Sequence, residues 1–415
     1  MGEFVGISIG EYDFISRKNS FGDLLALFSP AELKIEECIA EDGEPYTRRY
    51  FTKNVRQAKR CLDVMGHTLS RAKRLFDYER ERTIEHMLDN GEEERLNVIR
   101  QEFTFDKWKN AVKKYAIIMA KDKYENGHFR LLEKEIPSNE AEQRVHDSLP
   151  FNNDNMFFGI ELFYSDQFIG DYWDVFRVIL GAFNEEELLT LDYTNLYMGG
   201  WCDEFPEKND YVASKIVILT EGSTDSNIIR DTMNLLYPDM TKYYSFIDFS
   251  AYDVQGSTSF LSHYLKAFVA AGIENRIIAL FDNDSAGLAE IKNLEKHKFP
   301  DSVRIMHLPD LDFCQEYPTI GPSGKNFENI NGQACSIEMY LGEDILYQEG
   351  KYIPIRWKAY LDKVDTYQGE IVSKAEVLNR FKRKLERSKQ DGIKLKEWTD
   401  LNELLNMLFD AFVDV

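Results

Sequence analysis

The chain has 415 residues, too many for a single hydrophobic core, so we expect two or three domains. Its formal net charge of −22 argues against a protein that coats nucleic acid by bulk electrostatic attraction. It contains no apolar run of about 18 residues, and its five cysteines are scattered without a CxxC pair. We therefore expect no membrane association, no zinc module and a reducing, cytoplasmic location.

The first half of the chain predicts a mostly helical domain with a short β-rich start. Alternating runs such as VGISI and EYDFIS predict strands within the first fifty residues. Helical periodicity follows over about 51–88 and again over 95–123. We set an N-terminal domain at 1–150 and an α/β connecting segment at 151–210. That segment is expected to hold a helix over 166–183 and a strand at ELLTLDYT.

From residue 211 onwards, strands alternate with helices. Strands are predicted at KIVILT, YYSFIDFS, RIIALFDND and VRIMHLP, with a helical pattern between successive strands. This alternation predicts an α/β domain with a Rossmann-like parallel sheet and helices on both faces. Ligands of such sheets bind at the carboxyl ends of the strands. We set this domain at 211–345 and expect a helical extension at 346–415.

Acidic residues stand at the predicted strand ends. Glu221 follows the first strand, Asp225 lies one helical turn later, and Asp282 and Asp284 end the third strand. Carboxylates this close raise one another's pKa unless a cation lies between them. Because Mg²⁺ and Mn²⁺ prefer carboxylate oxygens, the pattern predicts a divalent metal site. The alternative is a set of helix caps and surface acids, because Asp is favoured at N-caps.

An EG pair after one strand and a DxD after another, separated by a βα unit, resembles the toprim domain of topoisomerases, primases and a group of nucleases. A closer resemblance is to the OLD nucleases (overcoming lysogenization defect), which carry an acid four residues after the first Glu and a later Ser-x-Glu. Here TEGSTD and ACSIEMYL supply these motifs. The resemblance implies two Mg²⁺ or Mn²⁺ ions, one of them held by Glu221 and Asp225. It implies that the other ion is held by Asp282, Asp284, Ser336 and Glu338.

The OLD nucleases also use a downstream lysine to stabilise transition-state charge or to assist proton transfer. The resemblance places this role on Lys374 in GEIVSKAEVL, with Lys351 as the second choice. The catalytic residues implied are Glu221, Asp282, Asp284 and Lys374.

A basic helix, NRFKRKLERSKQ, is a candidate for gripping the phosphates of a nucleic acid. The alternative is a solvated amphipathic helix. The candidate nucleic-acid-binding residues are Arg380, Lys382, Arg383, Lys384 and Arg387. Aromatic residues form no evident stacking ladder with basic neighbours along the chain, so we expect them in the core.

The opening stretch MGEFVGISIGEYDFISRKNS resembles the start of a module found before toprim or HEPN domains in bacterial defence proteins. Together the resemblances imply an endonuclease that cuts DNA or RNA, transfer RNA included, by a two-metal mechanism in anti-phage immunity. Such a nuclease must be restrained in its own cell. We expect a regulatory partner such as an ATPase sensor, since no GxxxxGK[ST] loop occurs in this chain, and we leave a homo-oligomer open.

Two other classes remain open. A topoisomerase needs a nucleophilic tyrosine in a large DNA gate, and about 70 residues after the toprim-like region leave little room for it. A DNA primase usually brings a zinc module, and the cysteine pattern predicts none. The second class is a non-catalytic, or partner-activated, nucleic-acid-binding scaffold on a toprim platform. Five clustered carboxylates favour the nuclease, because a scaffold has no reason to tolerate their repulsion.

Overall fold

The computed structural model describes most of the chain and divides it into two compact units. The units are Met1–Val212 together with Phe412–Val415, and Ala213–Ala411. The described residues are 3–89, 93–121, 139, 142, 145, 149, 172–203, 215–247, 257–362 and 364–413. Within these ranges, no helix is both long enough and apolar enough to cross a bilayer.

The N-terminal unit contains a five-stranded antiparallel sheet with the order β2-β1-β5-β4-β3. The strands are β1 (Phe4–Ile9), β2 (Tyr12–Lys18), β3 (Leu33–Ile39), β4 (Pro45–Asn54) and β5 (Leu188–Asp192). Strand β5 is the predicted ELLTLDYT strand, and it pairs with both β1 and β4. The supposed connecting segment 151–210 therefore completes the sheet that the first fifty residues begin, and the prediction of a separate piece is wrong here.

Helices make up most of the remaining described N-terminal unit. They are α1 (Val55–Met65), α2 (Leu69–Asp89), α3 (Glu93–Glu102), α4 (Phe105–Lys121), α5 (Tyr172–Leu180) and α6 (Thr194–Met198). The helix predicted over 51–88 is interrupted, because β4 runs to Asn54 and Gly66 ends α1 with a left-handed φ of 101°. The helix predicted over 95–123 is likewise two helices. Of the helix predicted over 166–183, residues 166–171 lie outside the described residues.

The second unit is built on a four-stranded parallel sheet with the order β10-β8-β6-β7. Its strands are β6 (Ile216–Leu219), β7 (Tyr244–Phe246), β8 (Ile277–Phe281) and β10 (Val303–His307). The helices between them are α7 (Ser223–Leu236), α8 (Thr258–Ala270) and α9 (Ser285–Leu294). The predicted alternation of strands and helices and the predicted parallel sheet are confirmed.

The core of the second unit forms around β8. All five residues of this strand are buried, which requires cover on both faces of the sheet. One core contains Phe281 of β8, Leu265 of α8 and Leu294 of α9. Such a run of apolar residues forms a strand because β-branched and aromatic side chains pack well on a pleated surface. Burial of this strand fixes where its carboxyl end emerges.

After the parallel sheet the chain forms a second sheet that the sequence analysis did not predict. The further elements are β9 (Asn283–Asp284), β11 (Tyr317–Gly321), β12 (Gly324–Glu328), β13 (Ala334–Cys335), α10 (Glu343–Leu346), β14 (Tyr347–Gln348), β15 (Lys351–Tyr352), β16 (Ile355–Leu361), β17 (Thr366–Ile371), α11 (Lys374–Asp391) and α12 (Thr399–Asp410). The second sheet has the order β12-β11-β16-β17. The prediction of a helical extension at 346–415 is wrong for its first part, where the chain forms strands β14 to β17.

The core position of Leu265 predicts a large loss of stability on truncation. Leu265→Ala should reduce the free energy of unfolding by roughly 2–5 kcal/mol, because it removes buried methyl groups and leaves a cavity. Leu395→Ala is the matched control, because this leucine is 70% exposed and should change stability by less than about 0.5 kcal/mol. Denaturant unfolding followed by circular dichroism measures both. Equal effects would contradict the assignment of this core.

Candidate metal centre

The ends of two neighbouring strands bring the first acidic residues together. Glu221 follows β6 and Asp282 follows β8, and these strands are adjacent and parallel. The Oε1 atom of Glu221 accepts a hydrogen bond from the backbone N–H of Asp282 at 3.1 Å. Its Oε2 atom accepts one from the hydroxyl of Thr258, the first residue of α8, at 2.5 Å. Thr258 was not singled out in the sequence, because nothing in its local pattern links it to a distant strand end.

Asp225 joins this edge from the first turn of α7. Its Oδ2 atom accepts a hydrogen bond from the backbone N–H of Gly222 at 3.0 Å, so the side chain turns back towards the end of β6. Burial raises the pKa of Asp225 to about 7, and the negative charges of Glu338 and Glu221 add to this rise. The residue thus both caps its helix and lies among other carboxylates.

Asp284 begins α9. Its Oδ1 atom accepts the backbone N–H of Gly287 at 2.8 Å, and its Oδ2 atom accepts the amide of Gln368 at 3.0 Å. The helix-cap alternative is therefore observed at this residue. A Cβ at Gly287 would stand 2.3 Å from the carbonyl oxygen of Asp282, so only glycine allows the helix to start this close to the strand end.

Ser336 and Glu338 reach the same place through a short strand pair. Strand β13 pairs antiparallel with β9, and the chain then passes directly into Ser336. The Ser336 hydroxyl donates to Oε2 of the fully buried Glu338 at 2.6 Å. The other oxygen of Glu338 lies 2.8 Å from Nζ of Lys374, the first residue of α11. Sequence-distant residues are thus brought to one edge of the parallel sheet.

Asn283, between the two aspartates, supports this arrangement from the opposite side. Its side-chain amide donates to Asp310 at 2.8 Å, and its carbonyl oxygen accepts the backbone N–H of Gly332 at 3.0 Å. Alternate residues of an extended segment point to opposite faces, so Asp282 and Asp284 share one face while Asn283 takes the other. The residue anchors the segment that leads into β13.

Glu221, Asp225, Asp282 and Asp284 have raised pKa values. Burial raises the pKa of Glu221 to about 7, with a contribution from the charge of Asp284. Burial also raises the pKa of Asp282 well above its usual range, and the charges of Asp225 and Glu221 add to the effect. Burial raises the pKa of Asp284 as well. Burial is therefore the main cause of the raised pKa values at this edge, and mutual repulsion adds to it at Glu221 and Asp282.

Lys374 supplies positive charge to the cluster. Burial lowers the pKa of this lysine, but the carboxylate of Glu338, with Asp225 and Asp282, outweighs burial and raises it overall. The lysine is thus held charged while half of its side chain remains exposed.

The carboxylates of the two implied ligand sets also interact with each other, because Glu338 of one set raises the pKa of Asp225 more than Glu221 of its own set does. The acids form one electrostatic cluster rather than two independent ones.

The side chains are not arranged as a closed chelate. Within the part of the chain that the structure describes, no group of three or more His, Cys, Asp or Glu side chains is close enough to hold one metal ion as it stands.

The basic helix α11 corrects one prediction. Lys384 is buried, and its ammonium group donates to Asp344 at 2.7 Å, to the Leu341 carbonyl at 2.8 Å and to the Glu397 carbonyl. Burial lowers the pKa of this lysine, and its charge lies over the ring of Trp398, 4.8 Å from the centroid. Lys384 therefore fixes the helix to its neighbours and is not available to a phosphate.

The other cations of this helix are nearer to the solvent. Arg380 pairs with Glu376 at 2.7 Å, and Arg387 pairs with Glu397 at 2.6 Å. Lys382 and Arg383 are exposed. Nucleic-acid binding by α11 stays a prediction for these four residues, with Lys382 and Arg383 the most accessible.

The raised carboxylate pKa values predict how stability depends on pH without divalent metal. A folded pKa above the unfolded value means that the folded state binds more protons, so this stability is present below about pH 4 and is lost as the pH rises through about 7. Asp225→Asn removes one such group and keeps the hydrogen bond to Gly222. In EDTA at about pH 8 the variant should be more stable than the wild type, because it carries no charge at this crowded site. We expect the thermal midpoint to rise by about 3 °C or more, since one kcal/mol corresponds to roughly 2–4 °C for a domain of about 150–250 residues.

Exposed Asp301→Asn is the reference for removal of a surface carboxylate. Scanning calorimetry measures the thermal midpoint of both variants and of the wild type between about pH 5 and about pH 8, a range that includes the raised pKa values. The thermal midpoint of the wild type should fall more steeply with rising pH than that of Asp225→Asn. Equal slopes for the two proteins would contradict this electrostatic account.

Comparison with known families supports the predicted N-terminal module. The family model described as HEPN/Toprim N-terminal domain 1 matches residues 1–215, more than half of the chain. The match passes the predicted boundary at 150 and includes β5, which completes the N-terminal sheet. Comparison with curated proteins and with solved structures gives no match. The chain belongs to the HEPN/Toprim N-terminal domain 1 family.

Proposed function

We propose that this chain is a Mg²⁺- or Mn²⁺-dependent endonuclease of the toprim type, similar to the OLD nucleases, that cuts phosphodiester bonds of DNA or RNA. Membership of a family named for HEPN and toprim domains points to a nuclease or a defence-related role. The observation that carries the proposal is the cluster of buried and half-buried carboxylates at the carboxyl ends of β6 and β8, where ligands of parallel sheets bind.

The chemistry of the cluster fits a hard divalent cation. All of its candidate ligands are oxygen donors. Burial raises the pKa values of Glu221, Asp225 and Asp282, and repulsion from neighbouring carboxylates adds to this rise. A bound cation would relieve this repulsion and displace protons. Since the side chains do not converge on one point, binding requires changes of side-chain rotamer. The residues proposed to hold metal are Glu221, Asp225, Asp282, Asp284, Ser336 and Glu338.

Bound metal would supply charge stabilisation to the attacking and leaving oxygens of an in-line displacement. The protein's own groups would position the reaction. Thr258 orients the Glu221 carboxylate, and Gln368 orients that of Asp284, each through a direct hydrogen bond. The charged Lys374, half exposed at the same edge, would stabilise negative charge that develops on the phosphate. The N-termini of α7 and α9 add a favourable dipole for an anion.

The cellular setting we propose is anti-phage defence in the cytoplasm. An endonuclease must be restrained in its own cell, so we propose a regulatory partner, such as an ATPase sensor, that switches the chain on. A homo-oligomer is also compatible with this role. Purified chain that degrades nucleic acid at full rate without any partner would contradict the regulatory part of the proposal.

Cleavage assays test the nuclease directly. Supercoiled plasmid, single-stranded DNA and total transfer RNA are incubated with Mg²⁺, Mn²⁺ or EDTA. We expect metal-dependent cleavage that falls at least roughly 100-fold in Asp282→Asn/Asp284→Asn, because even indirect partners of a metal cost about 10–100-fold when removed. Asparagine keeps the cap of α9, so folding should be preserved.

Exposed Asp301→Asn is the control and should cleave as the wild type does. Calorimetric titration with Mn²⁺ accompanies the assay. A wild type that cleaves nothing and binds no Mn²⁺ would refute the nuclease and favour the non-catalytic scaffold.

A lysine exchange tests which cation assists the reaction. Lys374→Gln should lower the cleavage rate by roughly 100- to 1,000-fold, the usual cost of removing one group that stabilises transition-state charge. Lys351→Gln should leave the rate unchanged, because Lys351 lies exposed on β15 and the cluster involves Lys374. Lys374→Arg retains the charge and should be less impaired than Lys374→Gln. Loss of cleavage in Lys351→Gln with normal cleavage in Lys374→Gln would reverse the assignment.

A further inference from the structure

Three aromatic side chains lie on one face of the hairpin formed by β16 and β17. Tyr360 and Tyr367 are paired across the two strands, with ring centroids 5.0 Å apart. The centroid of Trp357 lies 6.1 Å from that of Tyr367. We call Trp357, Tyr360 and Tyr367 the aromatic platform. Their juxtaposition is not visible in the sequence, where they are separated by strand and turn residues.

A β-bulge makes this arrangement possible. Residues three apart on a regular strand point to opposite faces, so Trp357 and Tyr360 would normally be separated. The register shift between Trp357 and Ala359 inserts one extra residue. As a result, Trp357 lies opposite Gly369 and Tyr360 lies opposite Tyr367, and both partners belong to the same face of β17. The expectation that the aromatic residues belong to the core is therefore wrong at this hairpin.

The two tyrosines of the platform are partly exposed to solvent. Tyr360 is 46% exposed and Tyr367 is 44% exposed, which is unusual for adjacent aromatic rings. Two of the polar atoms are already engaged, because Tyr360 donates to Asp365 and the indole N–H of Trp357 donates to Glu328 at 2.8 Å. The two tyrosine rings stand edge to face at an interplanar angle of 72°, and the Trp357 ring is tilted by 43° from that of Tyr367, so a base would stack on one exposed ring at a time.

The platform is attached to the candidate metal centre. The carbonyl oxygen of Tyr367 accepts a hydrogen bond from the hydroxyl of Ser285, next to Asp284, at 2.8 Å. The following residue, Gln368, donates to Asp284 itself at 3.0 Å. The strand that carries Tyr367 is therefore joined directly to Asp284 and Ser285 of the candidate metal centre.

The same strand carries positive charge between its aromatic residues. In the run IRWKAYL, Arg356 and Lys358 are exposed and flank Trp357 in the sequence, but Arg356 lies opposite Glu370 on the other face of the hairpin. Lys358 pairs with Glu370 of β17. Exposed aromatic rings that stack on bases are one component of single-strand recognition, and this component is present on the platform. Bases of an intact duplex are stacked on one another and cannot present their faces in this way.

We propose that the aromatic platform stacks unpaired bases next to the scissile phosphate, so that the substrate is a single-stranded segment of DNA or RNA. This inference rests on the proposed nuclease function and adds the substrate class. A duplex would bind only through its phosphates and therefore more weakly. DNA and RNA both offer unpaired nucleobases. Separate binding measurements with DNA and with RNA oligonucleotides show which of the two the protein prefers.

Binding without cleavage tests the platform. Full-length protein in EDTA is titrated into fluorescently labelled short oligonucleotides, single-stranded or duplex, and anisotropy is recorded. Tyr360→Ala/Tyr367→Ala should weaken single-strand binding roughly tenfold or more, the usual cost of losing base–aromatic stacking. Tyr360→Phe/Tyr367→Phe keeps the rings and should bind as the wild type does. Phe327→Ala is the matched control, because this ring is 64% exposed on β12, the opposite edge of the same sheet.

A second readout reports stacking itself. Binding of single strands should quench tryptophan fluorescence, and Trp357→Phe should remove most of that quenching while the protein stays folded. Unchanged single-strand binding by Tyr360→Ala/Tyr367→Ala would overturn the proposal. A wild-type protein that binds duplex as tightly as single strands, or that binds neither, would also overturn it. A change of oligomeric state in that variant, with normal oligonucleotide binding, would assign the surface to a second copy of the chain instead.

The two proposals fail separately. Metal-dependent cleavage combined with binding that does not depend on the tyrosines leaves the nuclease and removes the platform. Tyrosine-dependent binding of single strands by a protein that never cleaves and never binds Mn²⁺ leaves the platform and removes the nuclease.

Discussion

The hydrogen bond from the backbone N–H of Asp282 to the carboxylate of Glu221 joins the ends of β6 and β8. It places two negative groups side by side at the edge of a buried parallel sheet. Such a contact persists only if other groups compensate, because like charges in a poorly solvated place repel. The surrounding structure does this in three ways. It raises the pKa of Glu221 to about 7, it supplies Lys374, and it donates hydrogen bonds from Thr258 to Glu221 and from Gln368 to Asp284.

The same constraint explains why the second half of the unit folds back on the parallel sheet. Strand β13 pairs with β9, and this brings Glu338 beside the acids of the strand ends. Strand β17 then supplies Gln368, and α11 begins with Lys374. A cluster of this kind costs stability, and sites that store such strain are often functional. The cluster is thus the structural basis of the proposed metal chemistry.

Burial separates the structural cations from those that face solvent along α11. Lys384 is enclosed by two carbonyl groups, Asp344 and Trp398, and its removal would leave those groups without a partner. Lys382, only two residues away, is exposed. Charge alone does not distinguish the two lysines, because both belong to the same basic stretch of the sequence. The helical period decides which of them faces the core.

The sequence by itself determined the alternation of strands and helices from β6 to β10 and the positions of Glu221, Asp282 and Asp284 at strand ends. Apolar runs and Pro or Gly breaks are local signals, and they suffice for such elements. Only the tertiary structure decided the pairing of β9 with β13, the contacts of Thr258 and Gln368, the burial of Lys384 and the common face of Trp357 and Tyr367. These depend on register, on a bulge and on contacts between residues far apart in the chain, and no local pattern of letters encodes them.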